Sequence, residues 1–231
     1  MEELKSFNHI TSHDLQEPLG ILVRYAQLFQ IRYENQLDTE ANEFISFMVD
    51  AAKRMKKQIH GLFDYSHIGT NIEFKEFKSE EALETALLNL NSLIKKYNAE
   101  ITYNKLPLIK GDASKISIVF QNLIENALKF HKEGVPPKVH IFAEKKNKEY
   151  VFCVSDNGIG IQKEFTDQIF DIFKRLHVIG KYEGVGIGLA LCKKIIELHG
   201  GHMWSESKLG KSSKFYFTIP FKKYKYLLPP I

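Results

Sequence analysis

The chain has 231 residues, 44% hydrophobic and 26% charged, with a formal charge of +4, the balance of a globular protein that buries one large core or two modest ones. So slight a charge, its signs interspersed, gives no argument for nucleic acid, and no such partner is expected. No apolar run reaches the roughly 18 residues of a membrane span, so direct membrane insertion is excluded. No signal peptide is visible. Cys153 and Cys192 sit in apolar contexts without metal-ligand spacing and read as reduced, buried thiols of a cytoplasmic protein.

The chain opens on helical periodicity. Leu15, Leu19, Leu22, Ala26, Phe29 and Tyr33 recur at steps of four and three, one face of a helix. His13 falls about 160–200° from Leu15, Leu22 and Phe29 on that wheel, so it points to solvent, either as a plain surface histidine or as a reactive one. Pro18 cannot donate to the carbonyl of Asp14 and crowds it, which predicts a kink, tolerated or used as a hinge. After the polar connection "YENQLDTEAN", with Asp38 or Thr39 as N-cap, Ala41, Ile45, Met48, Ala52, Met55, Ile59 and Leu62 continue in heptad steps. Residues 1–67 therefore read as a helical hairpin. Two helices cover so long a seam poorly and four cover it well, so a homodimeric four-helix bundle is expected.

Beyond "HIGTN" the pattern changes. Residues 72–78 alternate as a strand, and Ser79, Glu80 and Glu81 open a helix to about Tyr97. Short strands are expected near 100–104 and 107–110, then a helix from about Asp112 to His131. "KVHIFAEKKNKEYVFCVSD" reads as a hairpin, and "HMWSES" with "SKFYFTIP" as a closing strand pair. Residues 72–222 thus form an α+β layered domain, and 223–231 a tail.

Three features of this second domain can carry chemistry. The first is a pair of glycine-rich turns, "DNGIGI" (Gly158, Gly160) and "GVGIGL" (Gly184, Gly186, Gly188), whose peptide N–H groups can approach phosphates. Neither is a dinucleotide fingerprint, since Lys163 and Leu189 stand where a third glycine belongs. "GKS" at 210–212 is not a P-loop, because its first glycine would be Ser205. Taken singly, each turn is equally ordinary loop punctuation. The second feature is Asp156, a carboxylate at the end of an apolar strand. It can accept from the exocyclic amine of adenine, and it can equally be a turn-forming aspartate. The third is "QNLIENALKF", where Asn122, Asn126 and Lys129 share a helical face. Amide oxygens suit Mg²⁺ and the ammonium suits phosphate; a solvated polar face is the plain alternative.

"NLIENALKF", "DNGIGI", "IFDIFKRLH" and "EGVGIGLALCKKIIELHGG" resemble, in this order, the N, G1, F and G2 boxes of sensor histidine kinases. "SHDLQEPL" is similar to the H box of that family, in wording nearest to phytochrome-type and related PAS-linked kinases. The resemblance spans residues 5 to 220. It implies a dimerisation and phosphotransfer hairpin over 1–67 and a Bergerat-type ATP-binding sandwich over about 72–222. His13 would be the phosphoacceptor and Asp14 its general base. Asn122 and Asn126 would hold Mg²⁺. Lys129, Asp156, Gly158, Gly160, Gly184, Gly186 and Gly188 would hold ATP under a lid at 162–183, with Lys174 and Arg175 neutralising phosphate charge. The implied partners are a second copy of the chain, a response-regulator receiver domain and an upstream sensor domain of a longer protein. Glu17 stands where phosphatase-competent members often carry Thr or Asn, which implies weak phosphatase activity. Two rival readings are an ATPase of the same fold and a non-catalytic ATP-binding scaffold. ATPase relatives carry Glu where this chain has Asn122, which argues against the first.

Overall fold

The computed structural model describes residues 18–33, 36–174 and 184–221. His13, Asp14, Glu17 and Arg175, and the turn after His13 where the kink is expected, lie outside them. The chain divides into two compact units. One holds the described residues up to His67 together with 184–187; the other holds 68–174 and 188–221.

In the first unit, helix α1 covers 18–32 and α2 covers Thr39–His67. Asp38 caps α2, its Oδ1 accepting from the Ala41 N–H at 2.8 Å. The heptad stripe divides in two. Leu19, Ile45 and Ala52 are buried, joined by Val49 from outside the expected stripe, whereas Leu22, Phe29, Met48, Met55 and Leu62 remain 45–61% exposed. A single hairpin therefore satisfies half of its own seam.

The second unit is an α+β sandwich. Its elements are β1 (Lys75–Lys78), α3 (Ser79–Lys96), β2 (Glu100–Tyr103), β3 (Leu108–Gly111), α4 (Ala113–Lys129), β4 (Lys138–Lys146), β5 (Glu149–Asp156), two 3₁₀ turns, α5 (Gly188–Leu198), β6 (Met203–Lys208) and β7 (Ser212–Pro220). The main sheet has the order β2-β4-β5-β7-β6, with β2 parallel to β4 and the remaining neighbours antiparallel. β1 and β3 pair separately.

Alternation along β4, β5 and β7 sends Val139, Ile141, Phe152, Val154, Phe215, Phe217 and Ile219 to one face. There they meet the apolar sides of α3, α4 and α5, among them Leu83, Ile116, Phe120, Leu123, Ile124, Ile195 and Ile196. Phe152 and Phe217 lie parallel with centroids 4.8 Å apart, and the Phe120 ring stands edge-on to both. Cys153 and Cys192 are buried, and burial pushes the Cys153 thiol up to about 11.

One local expectation is refined. The expected strand at 72–78 begins only at Lys75, because the Glu73 N–H is held by the Asp112 carboxylate. Ser79 opens α3 as expected, as the buried first residue of the helix, and its hydroxyl donates to the Pro107 carbonyl at 2.7 Å. Glu80 supplies the acceptor for the Leu106 N–H, so the start of α3 is pinned to the turn before β3. No described helix is long and apolar enough to cross a membrane.

Candidate active site

Asp156 ends β5, and its carboxylate is held from two directions. Oδ1 accepts from the Gly158 N–H at 2.8 Å and from the Ser213 N–H at 3.2 Å, while Oδ2 takes no hydrogen bond among the described residues. Burial pushes this carboxyl above the usual carboxylate range, opposed by the two N–H bonds and by the charge of Lys132. An acceptor oxygen in a half-buried floor, already oriented by its partner oxygen, is well placed to accept a hydrogen bond from an amine N–H.

The turn after Asp156 is clamped on both sides. Asn157 spans the gap, with Oδ1 accepting from the Lys138 N–H and Nδ2 donating to the Pro136 carbonyl. The Ile159 N–H bonds to the Phe130 carbonyl at the end of α4, and the Ile159 carbonyl accepts from Gly210 N–H in the β6–β7 turn. Glycine is required twice here. A Cβ at Gly158 would lie 2.5 Å from the Phe130 oxygen; one at Gly160 would lie 2.2 Å from the Lys208 oxygen, at a φ of +72°. The turn therefore ties the β5 floor to the end of the helix that carries the asparagines.

On α4, Asn122 turns its Nδ2 back to the Ile118 carbonyl at 2.9 Å, and its Oδ1 faces the start of α5, 2.5 Å from where a Cβ on Gly188 would sit. Asn126 is half-buried, with no side-chain hydrogen bond to protein among the described residues. The Lys129 ammonium lies 4.7 Å from the centre of the Phe130 ring. Lys174 is exposed, next to Phe173, whose φ of +64° is rare for a bulky residue. Gly184 and Gly186 take positive φ and group with the helical unit. As ligands for Mg²⁺, Asn122 and Asn126 would offer neutral amide oxygens, the Asn126 carboxamide being uncommitted among the described residues. That fits an ion which keeps most of its water and phosphate ligands.

Sequence reasoning missed the second support of Asp156. Ser213 lies 57 residues away and meets it only because β5 pairs with β7 in that register. Lys132, the Phe130 carbonyl and Ser207, whose hydroxyl accepts from the Ile161 N–H, were missed for the same reason.

Residues 111–223 match the family model described as "Histidine kinase-, DNA gyrase B-, and HSP90-like ATPase". Cyanobacterial phytochrome A of Nostoc sp. is 48% identical over 219 residues, which cover 94% of this chain and 28% of that protein. The chain therefore spans little more than a quarter of that relative. The catalytic domain of histidine kinase ThkA is similar at 28% identity and a TM-score of 0.55, over 64% of this chain and 96% of that one. The chain belongs to the sensor histidine kinases. It is a kinase catalytic core with an ATPase domain of Bergerat type. The fold extends over nearly the whole core: ThkA in complex with response regulator protein TrrA superposes with a TM-score of 0.64, at 24% identity, over 97% of this chain and 65% of that one.

Proposed function

We propose that this core binds Mg-ATP and autophosphorylates on His13 as a homodimer, then passes the phosphoryl group to an aspartate of a receiver domain. The observation that carries the reading is Asp156, half-buried and pre-oriented by two backbone N–H groups, at the floor of a turn clamped to the end of α4. Asp156 Oδ2 accepts from the adenine amine. Asn126, with Asn122 beside it, would hold Mg²⁺ through amide oxygens, and the ion when bound would neutralise phosphate charge. Lys129, Lys174 and Arg175 supply positive charge, and the glycine-rich turn at 184–188 supplies N–H donors.

In the transfer, His13 Nε2 forms the bond to the γ-phosphorus as the bond from that phosphorus to the β–γ bridging oxygen breaks, and ADP leaves. Asp14 takes up the proton that Nδ1 gives up. Hydrolysis is disfavoured because Asn122 offers an amide, its Nδ2 already engaged, where an ATPase needs a carboxylate to activate water. The half-covered seam of α1 and α2 is the surface on which a second copy closes a four-helix bundle.

Incubation with γ-labelled ATP and Mg²⁺ tests the reading. The expected label is acid-labile and base-stable, absent from His13→Gln. Label taken up by His13→Gln at the wild-type rate excludes the assignment.

A further inference from the structure

Helix α5 ends in His199-Gly200-Gly201, and each residue answers to a contact. Gly200 takes a φ of +79° and closes the helix with its N–H on the Glu197 carbonyl. A Cβ on Gly201 would lie 1.9 Å from the Thr218 oxygen. His199 is only 4% exposed, and its ring runs under the end of β3, where a Cβ on Gly111 would strike Cδ2 at 2.8 Å.

Both ring nitrogens are engaged. Nδ1 lies 2.7 Å from the Ile195 carbonyl, and Nε2 lies 3.0 Å from the backbone N of Asp112. A carbonyl can only accept and a peptide N–H can only donate. The imidazole is therefore neutral, with its proton on Nδ1. One end holds the last turn of α5 and the other holds the N-cap of α4.

Helices α4 and α5 run antiparallel, and their contacts fall in step. Gly188 sits against Asn122, the Cys192 thiol faces the Val119 carbonyl at 3.9 Å, and His199 meets Asp112. Apolar packing between two helices resists separation but specifies sliding poorly, since it is non-directional. A hydrogen bond has a direction and a length. The one at His199 lies about 16 Å along α5 from Gly188.

We propose that His199 is a positioning residue for the nucleotide site: its neutral imidazole fixes the register of α5 along α4 and so holds Gly188 against Asn122. This rests on the nucleotide-binding reading above. His199→Phe keeps a flat ring but leaves the Asp112 N–H buried without an acceptor, whereas His199→Gln restores an acceptor near the Nε2 position.

The test is calorimetric titration with Mg-ATP alongside thermal unfolding of the ATP-free protein. His199→Phe is expected to raise the Kd about tenfold, and His199→Gln to stay within about threefold of wild type. Gly188→Ala already pushes α5 off Asn122, so His199→Phe should add little in that background. A His199 with a merely structural role lowers the Tm and leaves the Kd of the folded protein unchanged, and that result overturns the proposal. Should His199→Phe fail to fold, Gly111→Ala displaces the ring while keeping its nitrogens. An unchanged Kd in folded Gly111→Ala overturns the proposal equally. Absence of Mg-ATP binding by the wild-type protein defeats the nucleotide reading as well, whereas binding indifferent to these substitutions defeats this inference alone.

Discussion

The Ser213 N–H donates to Asp156 Oδ1 at 3.2 Å, joining two residues 57 positions apart across the β5–β7 ladder. The bond fixes one carboxylate oxygen and leaves the other without a hydrogen bond among the described residues. It also makes the carboxylate tolerable in a half-buried place, although desolvation still outweighs it and the group titrates above its ordinary range.

Asp156→Asn should separate ligand binding from stability. An amide oxygen can replace Oδ1 toward both N–H groups, so the fold survives. A carboxyl whose folded pKa is raised costs stability once the pH exceeds its unfolded value of about 3.9, and the full cost is present above the folded value. At pH 7 the variant is therefore expected to melt at or above the wild-type temperature. ATP affinity should fall about ten- to hundredfold, because an amide turned to keep both backbone bonds offers a donor to the adenine amine. As the pH falls through the raised pKa, wild-type affinity should weaken while the variant's stays flat. Calorimetry across pH checks both, and an unchanged affinity in Asp156→Asn at pH 7 removes the adenine contact.

Gly160→Ala places a methyl group 2.2 Å from the Lys208 carbonyl at a φ of +72°. The turn cannot yield without losing the Ile159–Gly210 bond. A loss of about 1–3 kcal/mol is expected, read as a fall in Tm of several degrees, with ATP binding weakened in the protein that remains folded. A Tm equal to wild type would show that the turn is slack.

Asp112 caps α4 through Lys115 N–H, takes the Ser114 hydroxyl, and accepts from the Glu73 N–H. Burial raises its pKa, but these bonds and the Lys115 charge together outweigh that, and the carboxyl titrates below its ordinary value. A lowered folded pKa gives stability that is present above about pH 3.9 and lost as the pH falls through the folded value. Asp112→Ala is expected to cost about 1–2 kcal/mol at pH 7. In denaturant melts that difference should shrink below about pH 4; a difference constant with pH would mean the carboxylate charge plays no part.

Met48 and Met55 are 58% and 46% exposed on the uncovered half of the seam. A charge there is costly if a second copy covers the stripe and nearly free if water does. Met48→Glu with Met55→Glu should convert a dimer into a monomer by light scattering, with Mg-ATP affinity retained. A double variant that stays dimeric shows that the chains associate through another surface.

Much of this architecture was legible from local pattern. Period-two alternation marked β4, β5 and β7, and four-and-three spacing marked α2 and α4. Asp112 and Asp38 announced the helix starts that they cap. The order of the boxes identified the family without any distance. These are properties of a few consecutive residues, because each depends on which side of one element is apolar. What tertiary structure alone decided is non-local. No spacing rule tells that Ser213 braces Asp156, that β2 runs parallel beside β4, or that Asn122 spends its Nδ2 on its own helix and turns Oδ1 to Gly188. Nor does "ELHGG" reveal that His199 reaches Asp112 across 87 positions. Register and hydrogen-bond partners between distant segments follow from the packing of whole elements, which the sequence encodes only collectively.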